Sequence, residues 1–263
     1  MELGLRGKRA FISGSSQGIG FAIASALAAE GVDVVLNGRD ERRLDAAVDR
    51  LRVTHPEAAV SGLAADFTDP GQVADLTQRL GAVDILVNNV GLFGLADFAD
   101  IADEDWARYF EVNVMSGVRL SRALLPRMRE RGWGRIVFVS SESGVNIPAD
   151  MVHYGATKAA MIALGNGVAK LTRGTGVTVN TVLGGPTYSE GVAASVAAVA
   201  DARSVSVEAM KQAIIGQNAT TLLERFLEPS EIADLVVYLA SARSSATNGA
   251  ALRADGGVLT TVL

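Results

Sequence analysis

Short apolar runs alternate with longer amphipathic stretches along nearly the whole chain, and this rhythm restricts the fold more than any other feature. "KRAFIS" (8–13) reads as a strand and "GFAIASALAAEG" (20–31) as a helix ending at Gly31. "DVVLNG" (33–38) is a second strand and "ERRLDAAVDRLR" (41–52) a polar-faced helix. "AAVSGLAAD" (58–66) and "VDILVNN" (83–89) are strands separated by a helix from about Pro70 to Leu80. Asp103 to Arg131 is a long helical stretch in which Pro126 is expected to bend the helix or start a new turn. "GRIVFVSS" (134–141) is a strand, and Val152 to about Arg173 a helix. "VTVNTVL" (177–183) is a strand, Glu228 to Ala242 a helix, and "AALRADGG" (250–257) a last short strand. Strand–helix alternation implies a parallel sheet with helices on both faces. Continuously apolar strands fit a sheet covered on both sides. Residues 184–227 break the rhythm as a long insert, Ala/Val-rich at 192–200, and so long a connection is expected to be functional or mobile.

With 263 residues, and with no repeat or Pro/Gly/Ser-rich linker, one α/β domain is the simpler expectation. Such a chain buries a large core without a metal or disulfide staple. It has no cysteine, which excludes disulfides, thiolate catalysis and Cys-ligated zinc. His55 and His153 show no metal-ligand spacing, so no metal is expected. A net charge of −5 offers no global basic field for nucleic acid. "MELGLRGKRAFISG" lacks a signal-peptide apolar region, and no apolar run is long enough to span a bilayer. The expectation is a cytoplasmic protein with no membrane and no nucleic-acid partner.

"SGSSQGIG" (13–20) joins the first strand to the first helix. Gly14 suits a tight turn, while Gly18 and Gly20 let a pyrophosphate and the neighbouring strand come close. Ser16, Gln17 and Ile19 fill the same loop, whose helix would aim free N–H groups and the positive end of its dipole at phosphates. An ordinary glycine-rich turn is the plainer alternative. In NAD-binding chains an acid about 20 residues on bonds the ribose 2′-OH. Here the second strand ends "LNGRD", with Gly38 at the acid's place and Arg39 after it. A guanidinium can fork onto a 2′-phosphate, which favours NADP over NAD. Against this, Gln17 is not basic, and Arg39 could simply be solvated beside an N-cap at Asp40.

"HYGATK" (153–158) puts Tyr154 and Lys158 four apart, on one face of a helix. Bringing a phenol from about 10 to about 7 costs roughly 4 kcal/mol. One cation at about 4 Å in an effective dielectric near 20 supplies a similar amount. Lys158 alone could therefore nearly tune Tyr154, provided the phenolate is not badly desolvated, although a surface Tyr–Lys pair is the common occurrence. Thirteen residues before the Tyr, Ser141 closes a strand, where ligands meet open α/β sheets. Ser140 competes with it but points to the opposite side. Asn113, in "FEVNVMSG", lies mid-helix without a propensity advantage, and "NNVG" (88–91) places Asn89 and Gly91 in a turn beside a ligand. His153 should point away from Tyr154 and be structural.

In this order and spacing the motifs resemble the short-chain dehydrogenase/reductase family, 3-oxoacyl-ACP-reductase-like members in particular, over nearly the whole chain. T-G-x-x-x-G-x-G appears as "SGSSQGIG", N-N-A-G as "NNVG", and I-T-G-x-x-x-x-V-D-G-G is echoed in "TNGAALRADGG". The family's Asn-Ser-Tyr-Lys set falls on Asn113, Ser141, Tyr154 and Lys158. Asp66 matches the acid before the adenine contact, with Phe67 next to it. N-x-V-x-P-G is "NTVLGG", so Gly184 replaces Pro and is expected to loosen a wall of the nicotinamide pocket. Gly185 follows, and Ser189 takes the usual Thr position near the carboxamide.

The resemblance implies a single Rossmann-type domain with a doubly wound, mostly parallel seven-stranded sheet. It implies NADPH/NADP+ (NADH/NAD+ remaining open) and interconversion of a ketone and a secondary alcohol. Tyr154 would be general acid/base, Ser141 would polarise the carbonyl, and Asn113 would hold a water that relays protons to Lys158. Lys158 would lower the Tyr pKa and grip the ribose. Phe93–Leu95, Val145–Ile147 and the 188–216 insert would wall an apolar pocket for a medium-sized ketone or a 3-oxoacyl thioester. Arg127, Arg129 and Arg131 read as an exposed helix face before an acyl-carrier contact. The family also implies a homotetramer. The rivals are an NAD-linked alcohol or sugar dehydrogenase and a dinucleotide-binding regulator without catalysis.

Overall fold

The computed structural model describes residues 2–217 and 220–262. The elements run β1 (Arg9–Ile12), α1 (Gly18–Ala29), β2 (Asp33–Gly38), α2 (Glu41–Thr54), β3 (Val60–Ala64), α3 (Pro70–Leu80) and β4 (Ile85–Asn88). There follow α4 (Asp103–Phe110), a π-helical turn (Glu111–Met115), α5 (Ser116–Glu130), β5 (Trp133–Ser141), α6 (Val152–Lys170) and β6 (Gly176–Gly184). The chain closes with α7 (Glu190–Ala202), α8 (Val207–Gln217), α9 (Pro229–Ala240) and β7 (Ala251–Ala254). The seven strands form one sheet in the order β3-β2-β1-β4-β5-β6-β7. Every pairing is parallel, so the expected "mostly parallel" sheet has no antiparallel member.

Two cores explain the continuously apolar strands. Adjacent residues point to opposite faces. Ile12, Leu36, Val87 and Val137 join α1, α2 and α9 on one side. Phe11, Val35, Leu86 and Phe138 join α3, α5 and α6 on the other. The chain leaves β1 toward β2 and β3, then returns across β1 to β4. This reversal opens a crevice at the carboxyl ends of β1 and β4, the general ligand position of open α/β sheets.

Three details differ from the sequence-based expectation. Pro126 lies inside α5 on an exposed face, and the long helix is instead interrupted at the π-helical turn 111–115. On the solvent side, a carbonyl deprived of its helical N–H partner can bond water, so the proline costs little there. The 184–227 insert contains α7 and α8, which bury Val196, Ala200 and Met210 between them. Gly184 does not loosen a loop. It is the last residue of β6, paired between Ser141 and Ala254.

Candidate active site

The crevice is a cavity of about 480 Å³, within the usual range of ligand sites. The glycine turn forms its floor. Gly14 and Gly18 have φ of 61° and 62°, in the left-handed region where a side chain is strained. A Cβ at Gly20 would lie 2.4 Å from the Gly14 carbonyl and 2.5 Å from Asn89 Nδ2, so α1 packs that close only because the residue is glycine. The turn is fastened from both sides. Asn37 Oδ1 accepts the Gly14 N–H at 3.0 Å, and Asn89 Nδ2 donates to the Ser13 and Gly14 carbonyls at 3.0 and 2.9 Å. Of the residues expected to bind a cofactor, Gly14, Ser16, Gln17, Gly18, Ile19, Gly20, Arg39, Asp66, Phe67, Asn89, Gly91, Tyr154, Lys158 and Ser189 line this cavity. Gly185 is not among the lining residues. A Cβ there would meet the Asp255 carbonyl at 2.5 Å, so this glycine serves close packing against the segment after β7. Asp66 accepts the Thr68 N–H and hydroxyl at 2.9 and 2.8 Å. Phe67 is buried with α3 in the core.

The end of β2 carries more cationic character than the sequence suggested. At Gly38 a Cβ would lie 3.0 Å from Ser16 Oγ, so an acid there would have to displace the Ser16 side chain. Arg43, one turn of α2 beyond Arg39, also lines the cavity and donates to Gln17 Oε1 at 3.0 Å. The second basic residue missing at Gln17 is thus delivered by α2 to the same place. Its place in the first turn of α2, three residues after the Asp40 N-cap, was the available signal. Asp40 caps α2 by accepting the Arg43 N–H at 3.0 Å, and that bond holds its carboxyl below the usual range. A second unanticipated residue is Glu190, whose carboxylate accepts the Gly18 N–H at 2.7 Å and seats the start of α7 on the glycine turn.

At the far end of the cavity, β5 and α6 bring the reactive side chains together. Ser140 and Ser141 point apart, as strand alternation requires. Ser140 Oγ donates to the Lys158 carbonyl at 2.9 Å and anchors α6. Ser141 Oγ instead bonds a Glu142 carboxylate oxygen and lies beside the Tyr154 phenol. Lys158 is buried, with Nζ 3.0 Å from the Val139 carbonyl and 5.5 Å from the Tyr154 ring centre. Asn113, fully buried in the π-helical turn, accepts the Leu92 N–H at 2.7 Å and donates to the Leu92 carbonyl at 3.0 Å and Thr157 Oγ1 at 2.9 Å. It therefore ties the loop after β4 to α6. Asn113 Oδ1 and Lys158 Nζ approach the same spot over Gly91, at 3.4 and 3.6 Å from where its Cβ would stand. His153 is buried against Tyr109, with ring centres 4.1 Å apart, as the structural role expected of it requires.

The condition on which Lys158 could tune Tyr154 alone is not met. Burial pushes the Tyr154 phenol well above its ordinary value, with Glu142 and Tyr109 adding to the effect and the Ser141 hydrogen bond opposing it. Burial also lowers Lys158 to about 8. Lys158 alone therefore does not tune the phenol, because desolvation of both groups outweighs their attraction. A lysine displaced from 10.5 to about 8 binds fewer protons folded than unfolded over that window, so folding stability rises there with pH. Lys158→Met removes this effect. Below about pH 8 the variant should gain up to about 3 kcal/mol relative to wild type, and the gain should vanish toward pH 10.5. Denaturant unfolding across that range reads the difference, and parallel stability curves would refute it.

The model of the family described as short chain dehydrogenase matches residues 8–200. The chain belongs to the short-chain dehydrogenase/reductase family. This short-chain dehydrogenase/reductase is 43% identical over 263 residues to "Uncharacterized oxidoreductase YvaG" of Bacillus subtilis (strain 168), covering 100% of both chains. It is 32% identical to a D-beta-hydroxybutyrate dehydrogenase of Cupriavidus necator, covering 96% of this chain and 98% of that one. Among solved structures it resembles L-sorbose reductase from Gluconobacter frateurii complexed with NADPH and L-sorbose, with a TM-score of 0.95, 32% identity and 100% of both chains covered. As a short-chain dehydrogenase/reductase, it is an oxidoreductase.

Proposed function

We propose that the protein is an NADP(H)-dependent reductase interconverting a ketone and a secondary alcohol. The observation that carries this reading is one cavity with Arg39 and Arg43 at one end and Tyr154 and Lys158 at the other, with Ser141 beside Tyr154. The residues fit a dinucleotide. The two left-handed glycines add no side chain of their own to the turn, a phosphate could take the Gly18 N–H that Glu190 holds here, and the two guanidiniums suit a 2′-phosphate. The NADPH complex of L-sorbose reductase, alike over its whole length, supports the same choice. Bound there, a nicotinamide dinucleotide supplies or accepts the hydride at its C4.

The chain's own residues do the rest. Ser141 donates a hydrogen bond to the carbonyl oxygen as negative charge grows on it. Tyr154 gives that oxygen its proton in reduction and takes it back in oxidation. The ketone thereby gains one hydride and one proton. Lys158 holds positive charge beside the phenolate left behind, and Asn113 keeps the Leu92 loop and α6 in register around it. Exposed Phe93, Leu95, Val145 and Ile147 offer apolar contact for the substrate chain, as a 3-oxo compound would need. A polyhydroxy ketone is the second reading, supported by the L-sorbose reductase likeness.

A panel of β-keto esters and ketoses, assayed with NADPH and NADH, tests the proposal. Oxidation of NADPH in preference to NADH by at least one ketone is expected. Silence with both cofactors, while NADPH still binds, would mean a regulator instead.

A further inference from the structure

Glu142 sits beside Ser141, Tyr154 and Lys158, and nothing in the reaction outlined above uses it. It opens the 3₁₀ turn Glu142–Gly144 directly after β5, and the turn packs on α6 and β6. Each carboxylate oxygen meets a serine. Oε2 is bonded to Ser141 Oγ, and Oε1 lies 3.1 Å from Ser143 Oγ. The Ser143 N–H also donates to Ser141 Oγ, at 3.1 Å.

Proton counting makes this arrangement consequential. A hydroxyl has one proton and two lone pairs, and an ionised carboxylate can only accept. With Glu142 ionised, Ser141 must turn its proton to Glu142 and has none for a substrate oxygen. With Glu142 neutral, the carboxyl proton and the Ser143 N–H fill both lone pairs of Ser141 Oγ. The serine proton then points outward, toward Tyr154 and the substrate.

We propose that Glu142 is a positioning residue acting through Ser141: neutral, it aims the serine's proton at the substrate carbonyl, and ionised, it captures that proton and disarms the site. Burial pushes the Glu142 carboxyl above the usual carboxylate range, which favours the neutral form. The titratable groups facing it are Tyr154 and Lys158 of α6, and ionised Glu142 raises both. A cationic Lys158 pulls the other way, toward ionised Glu142, and burial is the larger influence. From β6, Leu183 and Gly184 stand opposite Ser140 and Ser141 and do not titrate.

The inference rests on Ser141 being the carbonyl donor, so Ser141→Ala is measured beside it. The full-length enzyme with NADPH is assayed on L-sorbose and ethyl acetoacetate from about pH 5.5 to about 9.5. Wild-type kcat/KM should fall about tenfold per pH unit above an apparent pKa raised from the carboxylate range. Glu142→Gln, whose amide donates permanently to Ser141, should keep acid-side kcat/KM within about threefold and lack that fall, retaining only the later one from Lys158. Glu142→Met, with no donor, should lose about tenfold or more at every pH. A Glu142→Gln profile that tracks wild type, or that sits as low as Glu142→Met, overturns the proposal. If Ser141→Ala loses about 100-fold while Glu142→Gln tracks wild type, only this inference fails. If Ser141→Ala keeps its activity, the reading of Ser141 fails, and this inference with it. Where a variant does not fold or neither ketone turns over, infrared spectra of the wild type decide. A protonated buried carboxyl band at low pH that vanishes on raising the pH supports the proposal, and its absence overturns it.

Discussion

Tyr154→Phe should lower kcat/KM for ketone reduction by about 10³-fold or more, an increase of about 4 kcal/mol in the barrier. The substitution removes one oxygen and keeps the ring. The contacts of α6 with Ser143 and the Thr157 bond to the Tyr154 carbonyl do not involve that oxygen and should persist. What is lost is the hydroxyl proposed to carry the proton beside Ser141. NADPH affinity, read by fluorescence titration, should stay within about threefold because the phosphate contacts lie at the other end of the cavity. A variant that keeps a tenth of wild-type turnover would remove Tyr154 from the chemistry.

The Arg39→Ala/Arg43→Ala double variant should lose about 10²–10³-fold in kcat/KM for NADPH, with NADH nearly unchanged. Both arginines are exposed at the cavity edge, and among the described residues their guanidiniums make one side-chain hydrogen bond, from Arg43 to Gln17. Their removal costs little stability, so the effect isolates recognition of the 2′-phosphate. Added salt should shrink the wild-type preference, because charges at the surface are screened. Arg43→Ala alone should fall between wild type and the double variant. Equal losses with NADPH and NADH would show that the arginines only support the turn.

Local chemistry wrote much of this into the chain. Continuously apolar runs divided by amphipathic helices dictated a covered parallel sheet, and strand alternation separated Ser140 from Ser141 without any structure. Gly14 and Gly18 were legible because a turn into a helix N-terminus needs their backbone freedom, and Gly20 because α1 must pack closely on that turn. Tyr154 and Lys158 were legible because four residues make one turn of α6. All of these depend on neighbours in sequence, so spacing alone specifies them.

Other features arise from contacts between distant segments, to which spacing is blind. Arg43 reaches Gln17 only because α2 docks beside the glycine turn, and Glu190 reaches Gly18 across 172 positions of sequence. The π-helical turn that aims Asn113 at Leu92 is a register slip within a helix that periodicity cannot detect. Whether the Tyr154 phenol escapes desolvation beside Lys158 was left open by the sequence for the same reason. Their attraction follows from their separation in the helix, but the larger desolvation term exists only once β5, the 142–144 turn and α6 close around them. The sequence by itself determined which groups stand near one another along each element. Only the tertiary structure decided how much water they lose, and so which of them hold their protons.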